Sequence, residues 1–140
     1  MRCAIFFLGF ASIALGQMDG SLLRAKFGAP LNREVFTVRP GIEMVVDYSP
    51  TGNHACRLEL PGLAPAGVGV NTKKLIDDLL LEIVPLSMRG KEGGKMCESM
   101  GRMGMCSADY EHLSILESLD GGDRKSVVVK FKIAGCSGDR

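Results

Sequence analysis

Four cysteines constrain this chain more than any other feature: Cys56, Cys97, Cys106 and Cys136. What they do depends on the first residues. The chain opens MRCAIFFLGFASIALGQ, with Arg2, an apolar run from Cys3 to Leu15, and small residues at Ala14 and Gly16. A cationic start, an apolar core and a small-x-small site form the layout of a secretory signal. Residues 1–16 are therefore expected to be a signal peptide cut between Gly16 and Gln17. Residues 17–140 are expected to form a single mature domain, with 17–33 a surface arm, secreted or periplasmic. No later apolar run approaches the ~20 residues of a spanning helix, so stable membrane insertion after cleavage is not expected.

Export changes the cysteine chemistry. Removing residues 1–16 removes Cys3 and leaves an even number of thiols, which in an oxidising compartment usually means two disulfides with three possible pairings. Pairing Cys97 with Cys106 closes a short loop that contains Gly101 and Gly104, a link worth about 2.5 to 3 kcal/mol on a chain-entropy argument. Cys56 with Cys136 then joins a strand to the tail, a longer loop worth about 4 to 5 kcal/mol.

The intervening stretch CESMGRMGMC admits a second chemistry. Met96, Cys97, Met100, Met103, Met105 and Cys106 are soft donors, and thiolates with thioethers select monovalent copper. The spacing supports this weakly, because there is no Cys-x-x-Cys pair and neither His54 nor His112 lies beside the segment. Structural filling by flexible methionines is the simpler expectation, with no cofactor. Arg102, at the centre of a loop tied at its base, is a candidate partner contact together with Met100 and Met103, since a pre-ordered loop loses little entropy on binding.

Patterning supplies the elements. Ile42 to Tyr48 and His54 to Leu60 alternate apolar and polar residues around a Pro-Thr-Gly-Asn turn, which predicts a hairpin, and a short strand is expected at Glu34 to Val38. Leu75, Ile76, Leu79, Leu80 and Ile83 share one helical face, with Asn71 or Thr72 as the cap and Pro85 as the stop. Asp77, Asp78 and Glu82 are assigned to the wet side of that helix. Residues 61–70 read as a crossing loop and residues 87–107 as irregular. Two further strands are expected at Glu111 to Glu117 and Ser126 to Ile133, and Phe36 and Phe131 are assigned to the core. The fold class expected is α+β: a small antiparallel sheet of about four to five strands, one helix packed on a face, stapled by disulfides.

Charge and motifs exclude several functions. Loss of Arg2 leaves equal numbers of basic and acidic residues, so nothing draws the chain toward nucleic acid, and Arg89 with Lys91 and Arg124 with Lys125 read as solvated loop charges. Gly-x-Ser-x-Gly and His-Glu-x-x-His are absent, and Gly90 to Lys95 lacks the Ser/Thr of a phosphate loop. No catalytic residue is assigned. The expected function is an exported, non-catalytic domain with a structural or protein-interaction role and an unknown protein partner, with a free sheet edge, either the Phe36 strand or the strand carrying Lys130 and Lys132, as a candidate for recruiting it. The alternatives are a ligand or soft-metal binding module and a small secreted hydrolase.

Overall fold

The computed structural model describes residues 20–27, 32–65 and 72–136. The expected signal peptide at 1–16, its cut before Gln17, and Asn71 lie outside the described residues. The chain divides into two units, Met1–Pro30 and Leu31–Arg140. The first contributes helix α1, Gly20–Phe27.

The second unit is dominated by one antiparallel sheet. Its strands are β1 (Asn32–Arg39), β2 (Ile42–Tyr48), β3 (Ala55–Pro61), β4 (Glu92–Met100), β5 (Met103–Tyr110), β6 (Leu113–Asp120) and β7 (Asp123–Phe131). Helices α2 (Thr72–Ile83) and α3 (Leu86–Arg89) fall between β3 and β4. The sheet order is β1-β2-β3-β7-β6-β5-β4. Two antiparallel meanders are thus joined where β3 meets β7, and that seam places the last strand in the middle.

The expectation of four to five strands with one packed helix is corrected by this arrangement. Among the described residues the sheet has seven strands and the helices are all short, and residues 87–107, expected to be irregular, supply β4 and most of β5. The physical reason is burial. Every residue of β4 is exposed, so neither of its faces needed an apolar set and no alternation marked it. Phe36 is likewise exposed because β1 is the opposite edge strand, whereas Phe131 packs against the core. The strand carrying Lys130 is central, paired on both sides, and so offers no free edge.

The core follows the register. Leu58, Val129 and Ile115 stand opposite one another across β3, β7 and β6, with Leu60 and Val127 one step along. Side chains alternate across a strand, so this row shares one face of the sheet. Ile76, Leu79 and Leu80 of α2 belong to the same buried cluster, with Ile42, Leu113 and Val84. Burying each such side chain contributes about 1.5–3 kcal/mol. α2 carries that apolar face because its apolar positions recur at helical spacing, while Lys73 pairs with Asp77 and Lys74 with Asp78 on the exposed turns.

The β6–β7 turn is tight. Gly121 and Gly122 both have positive φ, 62° and 91°, the conformation a two-residue type I′ hairpin requires. Arg124 therefore lies in β7 rather than in an exposed turn.

Candidate functional site

The β4–β5 hairpin carries most of the residues singled out in the sequence. Cys97 stands directly opposite Cys106 in the register, and the two are bonded; Cys56 and Cys136 form the second disulfide. Gly101 supplies the positive φ at the tip, 63°, and Arg102 follows it with its side chain 86% exposed. Arg102 Nε lies 3.9 Å from Asp120 Oδ1, and its carbonyl accepts a bond from the Gly121 amide of the neighbouring turn.

Alternation divides the six soft donors between the two faces of the hairpin. Met96 opposes Ser107, Met100 opposes Met103 and Met105 opposes Glu98, so the four methionines share one face. Cys97 and Cys106 occupy the other, in the row with Glu117 of β6. All four methionines are exposed, Met100 at 88% and Met103 at 72%. With both cysteine sulfurs in a disulfide, this geometry does not gather thiolates and thioethers on one side. Among the described residues, no three His, Cys, Asp or Glu side chains converge in a way that could hold a metal ion.

The face bearing the disulfide borders a cleft of about 310 Å³ beside α2. Its walls come from Lys73, Asp77, Leu80 and Leu81 of α2, Arg89 of α3, Lys95 of β4, Cys106 to Ala108 and Tyr110 of β5, and Ile115 and Glu117 of β6. Two arginines read from the sequence as solvated are buried around it: Arg124 is 3% and Arg89 6% exposed. The correction has a physical basis, since a guanidinium enters a protein interior only where carboxylates and carbonyls meet its donors.

Arg124 is well met. Its Nη1 donates to Asp77 Oδ1 at 2.6 Å and to Glu117 Oε1 at 2.9 Å, its Nε to the Gly62 carbonyl at 2.9 Å, and its Nη2 to the Lys73 carbonyl at 3.3 Å. Asp77 is accordingly a packing partner of the sheet and not simply a wet residue of the helix. Burial pushes its carboxyl up, but the bonds from Arg124 and Lys73 outweigh it and hold the carboxyl below the ordinary value. Gly62 is required here because a Cβ would lie 2.1 Å from the Arg124 carbonyl oxygen. Arg89 is met less fully: Nε donates to the Val84 carbonyl at 2.9 Å, the guanidinium lies 5.7 Å from the centre of the Tyr110 ring, and Nη2 has no hydrogen-bond partner among the described residues.

On the far face of the sheet, β1 to β3 carry charged side chains beside Val35 and Val45. Asp47 is bonded by Arg33 Nε at 2.6 Å and Nη2 at 3.2 Å, and by Arg57 Nη1 at 3.2 Å. The Arg33 bond, opposed by burial and reinforced by Arg57, keeps the Asp47 carboxyl below its ordinary value.

The fold and this site define an antiparallel sheet module closed by two disulfides, a pairing that points to an oxidising, non-cytosolic compartment. Among the described residues no helix is long and apolar enough to cross a membrane. Comparison with protein-family models, curated proteins and solved structures found no match.

Proposed function

We propose that this is an exported, non-catalytic interaction domain that presents the methionine face of the β4–β5 hairpin to a protein partner. The observation that carries this reading is that four exposed methionines share one face of a hairpin cross-linked through its other face. Unbranched thioether side chains adapt to irregular apolar surfaces, while the disulfide limits the backbone entropy lost on contact. Met100, Arg102 and Met103 at the tip are the central contact residues. Secretion rests on the leader-like residues 1–16 together with the two disulfides.

The test compares the oxidised protein with a variant carrying Met100→Ser, Met103→Ser and Met105→Ser, each cross-linked in the exported fraction where the protein accumulates. A partner recovered with the parent and lost with the triple variant, at unchanged thermal stability, is the expected result. Equal recovery of every species by both forms overturns the assignment of this face. N-terminal sequencing of the exported protein is expected to begin at Gln17.

A further inference from the structure

The cleft on the opposite face of the sheet has a chemistry of its own. Arg89 lines it, is 6% exposed, and its Nη2 is buried with no hydrogen-bond partner among the described residues. Buried polar groups in folded proteins are nearly always paired, and an unmatched charged donor is the rarest exception. A guanidinium offers five N–H donors and no acceptor, so the missing partner is an oxygen acceptor, best an anionic one.

The surrounding charge agrees. Among the described residues that line the cleft, Lys73, Arg89 and Lys95, with the adjoining Arg124, meet two carboxylates, Asp77 and Glu117, and both are already bonded to Arg124, Asp77 to Lys73 as well. Lys95 has no acidic partner among the described residues and reaches the cleft from the rim strand. The rest of the wall is mixed: Leu80, Leu81, Ala108 and Ile115 make its apolar part, beside Cys106, Ser107 and Tyr110. A volume of about 310 Å³ is at the lower end of small-molecule sites.

We propose that this cleft binds a small amphipathic carboxylate, with the carboxylate on Arg89 and Lys95 and a short apolar body against Leu80, Ala108 and Ile115. The half-buried Tyr110 ring lines the same cleft, and the Arg89 guanidinium lies over it, 5.7 Å from its centre. The ligand fills the hydrogen-bonding deficit of Arg89 that the fold leaves open. This site is separate from the methionine face, so either can fail without the other.

The experiment is an amide and aromatic NMR titration of the oxidised protein with octanoate, octanol and inorganic phosphate. Octanoate is expected to shift Leu80, Ala108, Ile115 and the Tyr110 ring saturably, and to bind at least about tenfold more tightly than either control, since the charge-assisted bond and the apolar contact act together. Arg89→Gln is expected to remove that preference over octanol. Lys95→Glu, an exposed substitution that leaves the core intact, is expected to weaken octanoate and spare octanol. Octanol binding as tightly as octanoate overturns the arginine anchor, and phosphate binding as tightly overturns the apolar body. Absence of octanoate binding, or shifts confined to the methionine face, overturns the site, as does unchanged octanoate affinity in Lys95→Glu when Arg89→Gln does not fold.

Discussion

Arg124 joins three parts of the molecule through one side chain: β7, which carries it, the loop after β3 through Gly62, and α2 through Asp77 and Lys73. Its side chain is only 2% exposed, whereas Asp77 and Glu117 keep some contact with solvent. Removing the arginine therefore leaves two carboxylates that water can partly rehydrate, together with two backbone carbonyls that lose a donor. Arg124→Ala is expected to cost about 2–4 kcal/mol, less than breaking a fully buried pair. Arg124→Lys restores the charge without the planar fork and is expected to recover less than half of that loss. Urea denaturation at neutral pH measures both; a change below about 0.5 kcal/mol for Arg124→Ala, the scale of a surface substitution, counts against this role. Neither buried arginine was legible beforehand, because Arg124 follows Gly-Gly-Asp and Arg89 precedes Gly-Lys, settings that look like turns until the sheet and helix close over them.

At the scale of elements, β4 and β5 depend on each other more than on the core. β4 is exposed along its whole length and, among the described residues, pairs only with β5, so little apolar burial holds it and the Cys97–Cys106 link replaces part of what packing would supply. In the double variant Cys97→Ser, Cys106→Ser, amide exchange in Glu92–Met100 is expected to accelerate by about two orders of magnitude, from a loop-closure contribution of about 2.5 to 3 kcal/mol. Amides of β2, β3 and β7 are expected to change far less. Uniform acceleration throughout the sheet would show that the hairpin is part of the cooperative core. This hairpin escaped the apolar pattern, yet one sign of it was present: Cys97 and Cys106 are equidistant from Gly101-Arg102, as two bonded residues flanking a two-residue turn must be. The hairpins at Ile42 and Ser126 were legible because one face of each strand is buried and alternation records it. α2 was legible because its apolar stripe meets that same core.

For the whole molecule, the two disulfides do different work. Cys97–Cys106 closes a local hairpin, while Cys56–Cys136 spans 80 residues and ties β3 to the segment after β7. Chain entropy grows with loop length, so removing the long link by Cys56→Ala, Cys136→Ala is expected to cost about 4 to 5 kcal/mol, more than removing the short one. Urea midpoints of the two double variants, compared at equal slope, test the order, and a reversed order would mean that the tail is not held in the native register. Loop length and strand position in the chain favoured these pairs among three possible ones, since two thiols about a glycine turn have few other uses in an oxidising setting, and the structure shows both. Composition and spacing were enough to place strands with one buried face and the apolar stripe of α2. Only the tertiary structure decided that the described residues form seven strands, that β7 lies at the centre, that Arg89 and Arg124 are buried, and that the methionines and cysteines of the β4–β5 hairpin face opposite ways. Those features arise from contacts between residues distant in sequence, and a strand exposed on both faces leaves no periodic trace of its pairing.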